Sequence, residues 1–332
     1  MRKSVLAIFF LALAFCWTGC GSARPAANAG SQQPGVPYRW QQSDSSLTLW
    51  KGADVVWTLN FNKKQDKPYF HPLCVNGYDL TLERPADHPW HRGLWFSWKL
   101  INNVNYWEED PKKGYSKGRS YIRAVNTELQ DNYSATVHID MEYAPDGGKV
   151  MLRERRELQI SAPGKDGGYT IDWKLAFLAG DSALVLDRTP PAKWGGPAAN
   201  WGGYGGLSYR ASRLLTRPEF TTSRGWTTTN DLTGEAGDAH WADMTATVSG
   251  AAGQLAGITI FDHVNNIRSP SPWYIWYTAG KNIFFTPALL YNGALTVKAN
   301  EKFVLNYRTY IHPGKPETSY LNKMFREFIS GK

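Results

Sequence analysis

The sequence predicts an all-β protein, built as a large antiparallel β-sandwich with a short C-terminal helix. Three observations support this prediction. Apolar and polar residues alternate with period two through most of the 332-residue chain, turns rich in Gly, Pro and Asn separate the alternating runs, and only one segment has a helical period. Many strands followed by a single terminal helix indicate stacked sheets around a common core.

The clearest strands form a predicted hairpin. Residues 136–143 alternate polar and apolar side chains, and the turn sequence 145–148 leads into a second run over residues 149–160. In this second run Glu154 and Arg156 share a face with apolar residues. Charges on such a face must be paired or must line a cleft, so we expect an ion pair at the sheet rim, with a binding-site role as the alternative.

Further strands and the helix follow along the chain. The strand-like runs cover residues 169–178, 184–188, 255–262, 273–277, 283–286 and 301–311. Helical spacing of i, i+3, i+4, i+7 and i+8 is found in Leu321, Met324, Phe325, Phe328 and Ile329. Because no internal repeat or linker interrupts the strands, we expect residues 37–332 to form a single domain.

The first twenty residues predict an export signal. Arg2 and Lys3 precede an apolar run, residues 5–16, that is too short to span a membrane as a mature helix. The run ends at Trp17-Thr18-Gly19-Cys20, which resembles the lipobox of bacterial lipoproteins. That resemblance implies lipidation of Cys20, with ordinary cleavage after a small residue as the alternative.

The segment after the signal predicts a tether. Residues 21–36 are rich in Gly, Ala, Ser, Gln and Pro and lack an apolar period, so they cannot bury enough surface to become ordered. Signal and tether together predict an exported protein, either periplasmic or anchored to the outer membrane through its lipid. Only Cys74 then remains in the mature chain, and we expect it to be a small buried hydrophobe, with a thiolate nucleophile as the alternative.

The net charge gives no sign of a nucleic-acid partner. The formal charge is +8 at pH 7, but the basic residues are dispersed and form no continuous patch. A mildly basic soluble surface accounts for this pattern.

The segment from Tyr69 to Glu109 carries the strongest chemical signal. It contains three of the seven histidines, His71, His88 and His91, close to four tryptophans. Imidazoles titrate near neutral pH, and flat aromatic rings suit the apolar faces of sugars. Pro89 excludes a helix, so both His88 and His91 should lie in a turn that enters a strand over residues 93–100.

Other polar residues complete the candidate site. Arg92 is expected to bind a carboxylate or hydroxyl group, or to pair with Asp87. His263 ends a strand and precedes a Pro-rich loop, and His312 closes the last strand. We expect His71, His88, His91 and His263 to converge in one pocket beside Arg92.

Several motifs resemble a bacterial domain family that has been labelled "methane oxygenase PmoA". The matching residues run from about residue 47 to 314 and include Tyr69-Phe70-His71-Pro72-Leu73, His88-Pro89-Trp90-His91-Arg92-Gly93-Leu94-Trp95, Gly203-Tyr204-Gly205-Gly206-Leu207 with Arg210, Phe261-Asp262-His263, Pro272-Trp273, and Tyr307-Arg308 with His312-Pro313-Gly314. Val264 departs from the proline expected after His263.

The resemblance implies a fold similar to the galactose-mutarotase supersandwich and acid–base chemistry on sugars. It does not imply methane oxidation, because the chain has no apolar spans outside its signal. We expect the catalytic residues to be His71, His88, His91 and His263 with Glu108 as the carboxylate, and with Glu109 or Asp262 as the alternatives. The implied substrate-binding residues are Arg92, Trp95, Trp98, Tyr204, Arg210, Asp262, Trp273 and His312.

Three functions remain open at this stage. The first is an exported carbohydrate-active enzyme, a hydrolase, lyase or epimerase, that uses histidine and carboxylate groups as acid and base. The second is the same site with a divalent metal ion bound by the histidines and Asp262. The third is a glycan-binding surface lipoprotein without catalysis.

Overall fold

The computed structural model describes residues 37–110, 112–193 and 200–331. The predicted signal, Cys20 and the predicted tether lie outside the described residues. The strands of the described part are, in chain order, β1 (Tyr38–Gln42), β2 (Ser46–Lys51), β3 (Asp54–Asn60), β4 (Tyr69–Val75), β5 (Tyr78–Asp79), β6 (Leu94–Ser97), β7 (Leu100–Ile101), β8 (Val104–Asn105), β9 (Gly118–Leu129), β10 (Ala135–Pro145), β11 (Leu152–Ile160), β12 (Tyr169–Ala179), β13 (Leu184–Asp187), β14 (Ala192–Lys193), β15 (Asn200–Trp201), β16 (Gly206–Arg210), β17 (Leu215–Thr222), β18 (Thr227–Thr228), β19 (Leu232–Asp238), β20 (Trp241–Val248), β21 (Leu255–Asp262), β22 (Pro272–Thr278), β23 (Asn282–Pro287), β24 (Leu295–Val297) and β25 (Lys302–Pro313). Helix α1 (Thr318–Ser330) follows them.

Two large antiparallel sheets contain most of these strands. Across the described residues, a ten-stranded sheet has the order β1-β2-β3-β4-β6-β16-β23-β22-β19, with β5 beside β4. A nine-stranded sheet has the order β18-β17-β20-β21-β25-β12-β11-β10-β9. Two smaller sheets, β24-β13-β7-β8 and β14-β15, lie outside them. The predicted fold class, an antiparallel β-sandwich with a C-terminal helix, is confirmed.

The main core lies between the two large sheets. Phe70 on β4 contacts Trp173 on β12, with ring centroids 5.6 Å apart, and Phe96 on β6 contacts Phe177 on β12 at 5.7 Å. Each fully buried side chain of this size contributes about 1.5–3 kcal/mol to folding. Period-two alternation places the neighbouring side chains of these strands on the outer faces of the sheets.

The predicted hairpin is formed by β10 and β11, which pair antiparallel. Its ion pair is not at the rim, as we expected, but fully buried: Arg156 Nε lies 2.6 Å from Glu154 Oε1, and the hydroxyl of Tyr143 donates to Glu154. The Arg156 guanidinium packs beside the rings of Phe96 and Trp173. The charges are buried because the alternation of β11 turns them toward the core, where each becomes the partner of the other.

The outer face of the nine-stranded sheet is covered by the helix. Trp241 and Phe261 pack there against Leu321 and Met324 of α1, which confirms the apolar face predicted for the helix. Gly331 ends the helix with a left-handed φ of 71°, and its N–H bonds to carbonyl oxygens of the last turn. No helix in the described ranges is long and apolar enough to cross a membrane.

Candidate active site

A loop of residues 83–92 lies on the outer face of the ten-stranded sheet. Glu83 and Arg92 form a β-bridge at its base. The N–H of His91 donates to the carbonyl of His88 at 3.0 Å, which closes a β-turn with Pro89 in its second position, where proline is favoured. The turn brings the rings of His88 and His91 to a centroid distance of 4.7 Å. Pro89 therefore excludes a helix but favours the turn that brings the rings of His88 and His91 together.

Gly93 returns the chain from this loop to the sheet. Its φ of 75° is a left-handed conformation, and a Cβ there would lie 2.5 Å from the carbonyl oxygen of Phe70. Only glycine fits this position without strain.

Arg92 fixes the base of the loop. Its Nη2 lies 2.6 Å from both carboxylate oxygens of Glu109, and its Nη1 donates to Glu83 at 3.1 Å. The hydroxyl of Tyr69 also donates to Glu83, at 2.6 Å. Arg92 therefore pairs with these two carboxylates and not with Asp87, the partner suggested by the sequence, because the loop bends Asp87 toward another strand.

His91 is buried beneath the turn. Its ring stacks on Phe284 at 5.1 Å and lies 5.1 Å from Trp95 and 6.1 Å from Trp107. Burial holds the pKa of His91 well below its usual range, and the nearby charges of His88 and Arg210 lower it further. His91 is therefore neutral near pH 7 and forms part of an aromatic floor.

His88 lies above this floor and is partly exposed, at 22 % of its side chain. Its Nδ1 lies 3.0 Å from Asp87 Oδ2, and Arg210 Nη2 donates to the same oxygen at 2.6 Å. The ring of Trp276 packs 4.6 Å from His88. Burial would raise the pKa of Asp87, but Arg210 and His88 together lower it below its usual value.

The pair of Glu108 and Lys99 lies near His88. The Lys99 ammonium donates to Glu108 Oε1, and Asn105 Nδ2 donates to Glu108 Oε2 at 2.6 Å. Lys99 Nζ lies 5.4 Å from the ring centre of Tyr204. Burial lowers the pKa of His88, and the charge of Glu108 is one of those that oppose this lowering, so the two groups share one local electrostatic environment.

We call these residues together the His88 cluster. It consists of Asp87, His88, His91, Lys99, Glu108 and Arg210 with the aromatic residues Trp90, Trp95, Trp107, Tyr204, Tyr274, Trp276 and Phe284.

Buried polar atoms without a partner are concentrated in the His88 cluster. Among the described residues, no hydrogen-bond partner exists for Trp90 Nε1, His91 Nδ1, Trp95 Nε1, Trp107 Nε1, Tyr274 Oη, Arg210 Nε and Arg210 Nη1. Buried polar groups in folded proteins are nearly always hydrogen-bonded. Unpartnered groups gathered in one place are therefore typical of a site that binds a polar ligand.

The structure brings together seven of the sequence-predicted site residues. These are His88, His91, Arg92, Trp95, Glu108, Tyr204 and Arg210, with Arg92 at the base. His71 lies apart on β4, where its Nδ1 is 2.8 Å from Thr81 Oγ1 and 3.8 Å from Asp79 Oδ2. It takes no part in the ring contacts that join His88 and His91.

Two predicted tryptophans are core residues. Trp98 packs against Phe177 and Phe303 between the sheets, and Trp273 donates from Nε1 to the carbonyl of Ala239 at 2.9 Å. Both are fully buried in the main core. The expectation that they line the site is not met, because the alternation of their strands directs them inward.

Of the four histidines expected to converge, His263 directly follows β21 of the nine-stranded sheet, and the predicted substrate-binding residues Asp262 and His312 lie on that sheet as well. His263 packs against Phe328 of α1, and its Nδ1 accepts from the backbone N–H of Asn265. Asp262 accepts from Asn266 Nδ2 and the backbone N–H of Ser271. The alternation along β21 shows which of its residues share a face. It does not show whether the strand joins the ten-stranded or the nine-stranded sheet.

His312 is a structural residue of that sheet. Its Nε2 lies 2.9 Å from Asp243 Oδ1 and its Nδ1 is 3.1 Å from the carbonyl of Gly314. A groove of about 390 Å³ lies elsewhere on this sheet, beside α1, and includes His263 and Arg308 in its lining. The guanidinium of Arg308 is bound by both oxygens of Asp172, at 2.6 and 2.7 Å.

Sequence reasoning missed several members of the His88 cluster. Trp276 could have been found, because it is three residues after the inward-facing Trp273 and so must face outward. Lys99 has no such signal. It directly precedes the short strand β7, whose pairing with β8 is not evident from the sequence.

The predicted metal has no ligand set in the described part of the chain. No group of three or more His, Cys, Asp and Glu side chains is arranged there to hold a metal ion. The divalent ion stays a prediction, which elemental analysis of protein purified without chelator tests.

Comparison with known proteins extends these observations. No curated protein matches the chain. Among solved structures it is similar to a galactose mutarotase related enzyme from Lactobacillus acidophilus, with 7 % identity, a TM-score of 0.35, and coverage of 83 % of this chain and 97 % of the other. It is also similar to a galactose mutarotase-like protein from Lactobacillus casei, with 11 % identity, a TM-score of 0.27, and coverage of 83 % and 100 %.

A third similar structure is the α-galactosidase from Lactobacillus brevis. The identity is 9 %, the TM-score 0.41, and the match covers 88 % of this chain but 41 % of the α-galactosidase. Likenesses with TM-scores below 0.5 support no argument about activity.

Family membership is shown by sequence. The methane-oxygenase label finds no support in these comparisons. A model of a family of unknown function, DUF6807, matches residues 46–326, nearly all of the part that forms the sheets and helix. The chain therefore belongs to the DUF6807 family of unknown function.

Proposed function

We propose that this protein is a carbohydrate-active enzyme that transfers protons on a sugar at the His88 cluster. One observation carries the proposal. A partly exposed imidazole, oriented by a carboxylate, lies among tryptophan rings and shares its surroundings with a second carboxylate. Acid–base chemistry requires such a group, whereas the structural His312 is hydrogen-bonded on both nitrogens.

Asp87 determines which nitrogen of His88 reacts. A carboxylate at Nδ1 accepts a hydrogen bond from Nδ1–H and keeps the proton on that nitrogen, so that Nε2 carries the lone pair in the neutral ring. Burial lowers the pKa of His88, although Asp87 raises it in part. The ring is then neutral near pH 7, and Nε2 acts as a general base.

Glu108 is the group proposed to deliver a proton. Opening or cleaving a sugar acetal, or epimerising a sugar carbon, requires proton removal at one atom and proton delivery at another. Glu108 is 28 % exposed and is held by Lys99 and Asn105, so its position is fixed. Because both Glu108 oxygens accept hydrogen bonds, the proton that Glu108 delivers starts on the Lys99 ammonium. Lys99 transfers it to Glu108 as Glu108 protonates the substrate, and the proton taken up by His88 Nε2 returns to Lys99 through solvent.

The aromatic side chains supply a surface for the sugar ring. Trp90, Tyr204 and Trp276 are all partly exposed around His88. The C–H face of a pyranose packs against such rings, while its hydroxyls reach the polar groups of the cluster. The arrangement is compatible with a hydrolase, a lyase or an epimerase, and the product identifies which reaction takes place.

Turnover on a panel of glycosides and oxidised glycosides tests the proposal. We expect product formation by the wild-type protein and its loss in His88→Ala. The competing function is a glycan-binding protein without catalysis. Binding of an oligosaccharide that is recovered unchanged after long incubation would establish that function instead.

We further propose that the protein is exported and anchored through Cys20. The apolar run that ends at this cysteine supports the proposal. In a bacterial host, wild-type protein should fractionate with membranes and carry a lipidated N-terminal peptide in mass spectrometry. Cys20→Ser should release it, and equal membrane association of both forms would contradict the anchor.

A further inference from the structure

We infer that the His88 cluster recognises a sugar that carries a negatively charged group, a carboxylate or a sulfate ester, and that Arg210 binds this group. The inference rests on the proposed sugar site and names its substrate class. It is drawn from the hydrogen-bond partners of the cluster.

Arg210 is a buried cation with unused donors. Its side chain is 1 % exposed, and only its Nη2 has a partner, Asp87 Oδ2 at 2.6 Å. Its Nε and Nη1 have no acceptor in the described residues. A guanidinium presents five N–H donors, and oxyanions are the acceptors that match its geometry and charge.

Asp87 neutralises Arg210 only in part. The same Oδ2 atom contacts both His88 Nδ1 and Arg210 Nη2, and the Asp87 side chain is 39 % exposed to solvent. Arg92, at the base of the loop that carries Asp87, differs from Arg210 of β16 in this respect. Two carboxylates bind Arg92, so that cation is satisfied by the protein itself.

Three of the remaining unpartnered atoms of the cluster also lack acceptors, whereas His91 Nδ1 and Tyr274 Oη can either donate or accept. The indole nitrogens of Trp90, Trp95 and Trp107 are donors only. Both oxygens of the nearby Glu108 already accept, from Lys99 and from Asn105. A ligand that satisfies this set must supply acceptor oxygens, and an anionic group supplies the strongest ones.

The position of Arg210 links anion binding to chemistry. Its guanidinium carbon lies 4.9 Å from the ring centre of Trp276, and that ring packs 4.6 Å from His88. An acidic group bound at Arg210 therefore places the attached sugar ring beside the imidazole. In this account Arg210 sets substrate specificity, and His88 performs the proton transfer.

A glycan array with matched pairs tests the inference. Each uronate-containing glycan is paired with its methyl ester, and each sulfated glycan with its desulfated form. We expect the wild-type protein to bind the acidic member of one pair about tenfold to a hundredfold more tightly, since hydrogen bonds to charged groups contribute this much. The pair that shows the preference identifies the carboxylate or the sulfate.

Two variants localise the effect. Arg210→Gln should lower the ratio of acidic to neutral glycan affinity to about one. Arg213→Gln, which removes an exposed positive charge three residues away, is the matched control and should keep the preference. If Arg210→Gln fails to fold, the ratio of acidic to neutral binding by the wild-type protein decides alone.

The failures are distinguishable. Equal wild-type binding of acidic and neutral glycans, or a preference that survives in Arg210→Gln, overturns the inference but leaves the sugar site intact. Absence of binding to every glycan overturns the proposed function and the inference with it.

Discussion

The outer faces of the two large sheets carry similar residues, but they differ in how many of their buried polar atoms have hydrogen-bond partners. On the outer face of the nine-stranded sheet, His312 has a partner on each ring nitrogen, two buried atoms, His138 Nδ1 and His240 Nδ1, have none among the described residues, and α1 covers part of the face. On the ten-stranded sheet, the His88 cluster leaves seven buried polar atoms of the described residues without a partner. A histidine-rich and aromatic surface is therefore a stronger candidate for a site where many of its unsatisfied hydrogen-bonding groups lie together.

The largest expected effect is a difference in kcat/KM between a variant on the ten-stranded sheet and a variant on the nine-stranded sheet. His88→Ala should lower kcat/KM on the substrate about a hundredfold to ten-thousandfold, because a general base contributes that much. His263→Ala is the matched control and should change it less than about twofold, since His263 packs on the helix. Similar losses in both variants would remove the distinction between the faces.

His312 should show the opposite behaviour. His312→Ala removes a fully buried partner of Asp243 and leaves a cavity, so we expect about 2–4 kcal/mol loss in the free energy of unfolding. Glycan binding by the folded variant should be unchanged. Urea unfolding measures the stability, with the partly exposed His138→Ala as the control, and a stable variant that has lost binding would place His312 in the site.

Asp87 is expected to be a positioning residue for His88. Asp87→Asn removes the charge that orients the imidazole, and should lower kcat about tenfold to a hundredfold. Because Asp87 raises the pKa of His88, the acid limb of the kcat–pH profile should also move to lower pH. A variant with lower kcat but an unmoved acid limb would refute the contact as the cause.

The smallest effect concerns the buried His91. Its folded-state pKa is depressed by burial, so on acidification the unfolded chain takes up a proton near the usual value of about 6.5 that the folded chain does not. Stability should therefore fall as pH decreases from 7.5 to 5.5, with about 1 kcal/mol of the fall due to His91.

His91→Phe keeps a ring in the same place and isolates this contribution. Its unfolding free energy, measured in urea at pH 7.5, 6.5 and 5.5, should fall less steeply with acidification than that of the wild-type protein. Parallel pH profiles would show that His91 is not held neutral in the folded state.

The sequence was sufficient for elements whose period repeats over many residues. Alternation predicts the strands of the β10–β11 hairpin, and the spacing of Leu321, Met324 and Phe328 predicts α1. The turn around Pro89 was also predictable, because proline restricts both itself and its neighbours. These features depend on local geometry, which neighbouring residues determine.

The candidate site was predictable only in part. Alternation reports which residues share a face of a strand, but not which sheet the strand joins, so His263 was grouped with His88. Partners far apart in sequence, such as Arg210 and Asp87 or Arg92 and Glu109, become neighbours only through strand order. The sequence shows which residues could belong to the cluster, and the order of the strands in the sheets decides which of them lie together.

Hydrogen–deuterium exchange with and without a bound glycan shows whether the ligand binds at the His88 cluster. We expect the ligand to protect backbone amides in the loop of residues 83–92 and in strands β16, β22 and β23, which present the His88 cluster. Amides of α1 and of residues near His263 should exchange unchanged. Protection confined to the groove beside α1 would contradict the account and place the site on the nine-stranded sheet.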